Sequence, residues 1–305
     1  AVMPFALLVL SGDQTVGPTW AGEVLAALAF LMTGLGLHMT QTAGLALASD
    51  RATEETRPRV VALLYVMYLL GMGLSALSIG WLLRDFTNLT LIRVVQGAAL
   101  AGLLLNSVAL WKQEHVSPMT KEQRSAPRPS FAKTWSAFMA EGASARLILV
   151  VFLGTLAFNM QDVLLEPYGG EILGLAVGQT TWLTAAWAFG ALVGLAYAAR
   201  RLKAGLSAYR LMSNSIFVGL LAFPAVIVSA PIGSTTLFFA GAFLIGLGSG
   251  LFAVSTLIAA MLLGENENTS HGLALGAWGA SQATSAGLAI ALGGTLRDWI
   301  NTLAM

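Results

Sequence analysis

Apolar residues run through this chain in long blocks, with short polar connections between them. A helix rises 1.5 Å per residue, so about 20 apolar residues cross a bilayer. Eight stretches reach that length: 20–46, 59–83, 90–111, 147–166, 179–199, 210–230, 235–263 and 271–294. The opening AVMPFALLVL reads as the second half of another membrane helix, so the N-terminus is expected to be missing. A transmembrane barrel would show alternating segments of about ten residues instead. The pattern predicts an all-α polytopic membrane protein.

Charge gives the runs a direction. Only 10% of residues are charged, against about 25% in soluble domains. Thirteen of the 16 basic residues lie in or beside the connections 47–59, 112–146 and 200–210, leaving only Arg84, Arg93 and Arg297 on the other side. Basic residues stay cytoplasmic, so those three connections are expected to face the cytoplasm. The connection GENENTS (264–270) carries no basic residue and is placed there by alternation alone. No basic tail points to nucleic acid. The chain has no cysteine, which excludes disulfides, cysteine-ligated zinc, iron–sulfur clusters and thiol catalysis.

The connection 112–146 is the longest and contains Pro118, Pro127 and Pro129. It divides the chain into an N-terminal bundle (1–111), a cytoplasmic connection (112–146) and a C-terminal bundle (147–305). Within the connection, Phe131, Trp135, Phe138 and Met139 fall on one face of a helix for which Ser130 is a suitable N-cap. Two readings stand: an amphipathic helix lying in the cytoplasmic interface, or one packed on the cytoplasmic ends of the spans. Small residues recur four apart at Gly190/Gly194, Gly246/Gly250 and Ala277/Ser281/Ser285, a spacing that lets helices approach closely.

Polar residues inside the spans are the candidate functional groups. Thr155, Asn159, Asp162 and Glu166 are spaced to form one stripe on a regular helix, with Gln161 beside it. Charge at membrane depth is costly, so such a stripe faces protein or a water-filled cavity. It could line a substrate path or a proton relay. Alternatively, Asp162 and Glu166 reach the extracytoplasmic headgroups, and Pro167 with Gly169 and Gly170 stops the helix. In the span 20–46, His38 is followed one turn later by Gln41 and Thr42 on the same face. An imidazole there could bond across helices, carry a proton, or ligate the magnesium of a chlorin, which makes His38 a pigment-ligand candidate. Tyr65, Met67, Tyr68 and Met72, and Trp278 with Gln282, could contact a flat apolar ligand or belong to core and lipid-facing surface. Gln96 and Asn106 are expected to bond between helices. No catalytic constellation, metal-binding His pair or phosphate loop is present in the sequence, so no catalytic or metal residue is assigned.

Several strings carry a resemblance. LHMTQTAGLALASD (37–50), RPRVVALLYVMYLLGM (57–72), VVQGAAL and NSVALWKQE (within 94–114), FNMQDVLLEPYGGEILGL (158–175), LIGLGSGLFAVSTLIAAM (244–261) and LALGAWGASQATSAGLAIALGGTLRD (273–298) resemble the PucC-like, or bacteriochlorophyll-delivery, family of purple phototrophic bacteria. That family is a branch of the major facilitator superfamily. The resemblance covers essentially the whole chain, and QDVLLEPYGG and ALLYVM are specific to this branch.

The resemblance implies a fold of twelve helices in two bundles, with a long cytoplasmic connection. Helices 1 and 2, most of 3, and 12 are then absent, and the eight spans are helices 4–11. It implies a multi-pass protein of the bacterial inner (cytoplasmic or intracytoplasmic) membrane. Its role would be light-harvesting complex assembly: delivering bacteriochlorophyll to the antenna α and β polypeptides or assisting their insertion. Bacteriochlorophyll would be cargo rather than a tightly bound cofactor, bacteriochlorophyll synthase a further partner, and enzymatic activity is not expected. Gln161, Asp162, Glu166, Pro167 and Tyr168 carry over as a signature without an assigned role. Two alternatives remain: a proton-coupled, facilitator-type transporter of a small solute, and a scaffold docking through Phe131, Trp135 and Phe138.

Overall fold

The structure, a computed structural model, describes residues 19–53, 57–112, 130–264 and 271–304. Their long helices are α1 (Thr19–Arg51), α2 (Arg57–Leu82), α3 (Asn88–Ala109), α4 (Phe131–Ala140), α5 (Gly142–Asn159), α6 (Val177–Lys203), α7 (Ala208–Ile232), α8 (Thr235–Gly264) and α9 (His271–Ala304). No strand occurs among the described residues. α1–α3 and α5–α8 are each long and apolar enough to cross a membrane, and α5 does so together with the turns that extend it to Ile172. The chain is therefore an all-α polytopic membrane protein.

Helix ends follow local chemistry. Thr87 caps α3, its Oγ1 accepting from the Thr90 N–H at 3.0 Å. Before α6, the Gln179 side chain accepts from the Ala176 N–H at 3.0 Å. Ser207 caps α7, accepting from the Arg210 N–H at 3.4 Å, and α7 ends at Gly233 in the left-handed region (φ 65°).

By contacts the chain forms two units. One comprises residues 1–57 and 82–130, with α1 and α3; the other comprises 58–81 and 131–305, with α2 and α4–α9. The division read from loop length placed α2 with α1 and α3, whereas the contacts group it with the C-terminal helices. The cause is a close approach to α6. Gly73 lies against Ala188, and a Cβ on Gly80 would sit 2.9 Å from the Gly178 carbonyl oxygen.

Within the second unit the helices alternate in direction. The starts of α5 and α7 and the end of α6 share one end, which carries Arg146, Arg210, Arg200, Arg201 and Lys203. The tightest packing joins α6 to α8. A Cβ on Gly190 or Gly194 would strike the carbonyl of Phe243 or Leu247, and one on Gly246 or Gly250 would strike that of Trp187 or Ala191. Four glycines at the predicted four-residue spacing thus bring two backbones into contact. Beside this seam lies a core of Phe158, Leu165, Leu183, Val226, Phe238, Ile245 and Phe252.

The eighth expected span differs from the others. α9 is 34 residues long, but Ser281, Gln282, Thr284 and Ser285 make it too polar to qualify by composition. Ser281 and Ser285 are turned inward, while Gln282 is half-buried and Thr284 exposed. The Ser281 hydroxyl donates to the Ile148 carbonyl at 3.1 Å, Ser285 donates to the Phe152 carbonyl, and Trp278 Nε1 donates to Thr256 Oγ1 at 3.1 Å. Hydrogen bonds to α5 and α8 thus satisfy groups that would be costly in lipid. In α3, by contrast, Asn106 bonds within its own helix, to the Gly102 carbonyl at 2.8 Å, rather than across helices.

Candidate functional site at the end of the fifth helix

α5 does not end as the proline and glycines suggest. It continues through a 3₁₀ turn (Met160–Val163), one α-turn (Leu165–Pro167) and a π-turn (Tyr168–Ile172). The Leu173 N–H reaches the Tyr168 carbonyl at 3.4 Å and the Leu175 N–H the Gly169 carbonyl at 3.0 Å. Gly174, with φ 66°, then turns the chain into α6.

These changes of pitch break the expected stripe. A 3₁₀ turn winds three residues per turn instead of 3.6, so four such residues rotate everything beyond them by roughly 80°. Thr155 is buried at 7% exposure and Gln161 at 6%, whereas Asp162 and Glu166 are exposed. Asn159, at the junction, is half-buried. The four residues therefore do not share a face: Thr155 points into the unit and the two acids point out of it.

The segment has an inner and an outer side. On the inner side, the Tyr168 hydroxyl donates to the Ile227 carbonyl of α7 at 3.1 Å, and its ring stacks on Phe238 of α8 with centroids 5.7 Å apart. Gly169 gives that ring room, since a Cβ there would lie 3.0 Å from Phe238. Glu171 pairs with Arg297 of α9 at 2.7 Å. One π-turn thus ties α5 to three other helices. On the outer side, Gln161 donates to the Asp162 carboxylate. Glu166 and the phenol of Tyr68 on α2 both lie within electrostatic reach of that carboxylate. The outer side exposes two carboxylates, with Asp162 held by the buried Gln161 amide, a group able to hold a proton or to hydrogen-bond the polar edge of a ligand.

The remaining predicted residues lie elsewhere. His38 is on α1, and its side chain falls outside the described residues; Gln41 is exposed on the same helix. On α4, Phe138 is buried at 3% exposure against Ala274 and Ala277 of α9, with Trp135 and Met139 beside it. Phe131 is 72% exposed and stacks on Trp135. The C-terminal half of α4 is thus packed on the spans, and Phe131 is its outward aromatic. Lys121, Arg124, Arg128 and the 265–270 connection lie outside the described residues.

Sequence reasoning missed two partnerships: Tyr168 with Ile227, and Glu171 with Arg297. A signal existed for the second. Arg297 is one of only three basic residues on its side of the membrane, and Glu171 is an acid on that same side.

Comparison with known proteins places this geometry in context. The family model described as PUCC protein matches residues 1–305. A protein of the puhA–bchM intergenic region of Rhodobacter capsulatus, described as uncharacterized, is 62% identical over 300 residues, 98% of this chain and 62% of that protein. Protein PucC of Rhodovulum sulfidophilum is 48% identical over 302 residues, 98% of this chain and 66% of that protein. The bacteriochlorophyll synthase 44.5 kDa chain of Rhodobacter capsulatus is 26% identical over 288 residues, 90% of this chain and 64% of that protein. The chain spans just under two thirds of the length of the relatives it matches.

Proposed function

The chain belongs to the PucC protein family, and from that premise we propose that it serves light-harvesting complex assembly. In this reading it lies in the bacterial inner membrane with its basic helix ends in the cytoplasm. It delivers bacteriochlorophyll to the antenna α and β polypeptides, or assists their insertion, and carries out no chemistry on the pigment. The observation that carries the proposal is the family match along all 305 residues. The 26% identical relative, named as a bacteriochlorophyll synthase chain, supports a link to pigment supply.

The geometry fits a carrier of a large apolar cargo. A bacteriochlorin needs an apolar surface, a few polar groups for its ring substituents and an axial donor for magnesium. The face of α2 offers exposed Met67 and Tyr68, adjoining Asp162 and Glu166. His38 on α1 supplies an imidazole of the right chemistry for the metal.

The test is a whole-cell near-infrared absorption spectrum of a strain lacking the intact gene, beside its parent. Loss of an antenna band with reaction-centre bands retained is expected. An unchanged spectrum in a strain without a paralogue contradicts the proposal.

A specific observation favours a second reading. Asp162 is exposed and flanked by Gln161, Glu166 and Tyr68, the kind of cluster a proton-coupled solute carrier uses. Under that reading Asp162→Asn abolishes active uptake in vesicles and leaves antenna levels unchanged.

A further inference from the structure

The basic end of the second unit holds a groove outside the polar turn. Its volume is about 360 Å³, and it is lined by Ala143, Arg146, Leu147, Val150, Tyr209 and Met212. This lies within the range of ~300–1,000 Å³ typical of small-molecule pockets. It sits where two spans begin, since α5 and α7 both start at this end. From Ala143 to Val150 it runs about 10 Å along the α5 axis, from the expected headgroup level into the hydrocarbon.

Its chemistry changes along that length. The inner part is apolar, formed by Leu147, Val150 and Met212. The outer part carries a guanidinium and a phenol. Arg146 uses Nε to donate to the Gly142 carbonyl at 2.8 Å, and its terminal nitrogens have no protein partner among the described residues. Tyr209 is 56% exposed. Arg210 follows in the first turn of α7, whose N-terminal N–H groups add positive field. The nearby acid, Glu141, accepts a hydrogen bond from Ser144, a residue with no exposed surface, and so is turned away from the exposed Arg146.

We infer that this groove binds an anionic phospholipid of the cytoplasmic leaflet. One acyl chain lies along Leu147, Val150 and Met212, and the phosphate meets Arg146 and the Tyr209 hydroxyl. Charge complementarity selects the occupant. An apolar slot closed by an unpaired guanidinium at headgroup depth favours a lipid bearing net negative charge over a zwitterion. The site is independent of the polar turn, which lies at the other end of α5.

The experiment uses the full-length protein in mild detergent, given equimolar dioleoylphosphatidylglycerol and dioleoylphosphatidylcholine and read by native mass spectrometry. Phosphatidylglycerol should be retained over phosphatidylcholine. Arg146→Gln should lower its retention about fivefold and leave phosphatidylcholine unchanged, whereas Arg146→Lys keeps most of the preference. Ala143→Trp, at an exposed position that fills the groove mouth, should lower retention of both lipids. Equal retention of the two lipids by the unmodified protein overturns the inference, as does an unaltered preference in Arg146→Gln. So does displacement of the lipid by pigment or by an antenna polypeptide, which would mean that the groove serves another occupant.

Discussion

Along the seam between α6 and α8, Gly190, Gly194, Gly246 and Gly250 set two backbones against each other, each glycine meeting a carbonyl of the facing helix. The turn from Met160 to Ile172 holds its neighbours differently, through a phenol on α7, a ring on α8 and a carboxylate paired on α9. The seam has no slack, because its four glycines meet backbone and any side chain at those positions is too large. The turn makes all its fixed contacts on one side, which leaves Asp162 and Glu166 exposed on the other. Rigidity in this protein thus comes from small residues at helical spacing, while polar residues collect where the helix changes pitch.

The seam should break first. Gly246→Leu drives a side chain into the Trp187 carbonyl, and overpacking of this kind costs about 1–3 kcal/mol or more. The expected outcome is loss of folded protein from the membrane, read as the monodisperse fraction after detergent extraction. The contrasting substitution is Gly276→Leu on α9, where nothing lies within 4 Å of a built Cβ. It should extract like the parent. Equal damage at both positions would remove the distinction between seam and surface glycines.

Next in size comes Tyr168→Ala, which removes the stack on Phe238 and the bond to Ile227. A drop in thermal stability of about 3 kcal/mol is expected from lost aromatic burial. Tyr168→Phe should cost only about 1 kcal/mol, the net worth of one hydrogen bond. Glu171→Gln ranks lower. Its ion pair with Arg297 is largely solvent-exposed, so the loss should stay under about 1 kcal/mol and shrink further in high salt. If Glu171→Gln destabilised more than Tyr168→Ala, the ranking of packing over exposed charge at this turn would be wrong.

Much of this architecture is written in the sequence. The spans follow from unbroken apolar length, and the seam from glycines four apart, because a helix turn returns every fourth residue to one face. The site was only partly legible. The spacing of Thr155 and Asp162 gives a common face only at constant pitch, and the 3₁₀ turn Met160–Val163 removes it. Pro167, a helix stop in one of the two alternative readings, instead closes the short α-turn Leu165–Pro167 at φ −59°, a value a proline adopts without strain. The grouping of α2 with the C-terminal helices was hidden because loop length records connectivity, whereas Gly73 and Gly80 record contact. Arg297 and Glu171 are 126 residues apart, and pairing over such a separation has no local signal beyond their shared side of the membrane.

The smallest expected structural effect belongs to the outer side of the turn. Asp162→Asn and Glu166→Gln remove charge from exposed positions and leave the Tyr168 and Glu171 contacts in place. The measurement that tests the account most directly is the near-infrared antenna absorbance of cells carrying both substitutions, normalised to the amount of the variant protein in the membrane. The account predicts a parental protein level with a depleted antenna band: the inner side of the turn holds the bundle, and the outer side serves assembly. A parental antenna band at parental protein level would contradict it and leave the whole motif with a role in packing alone.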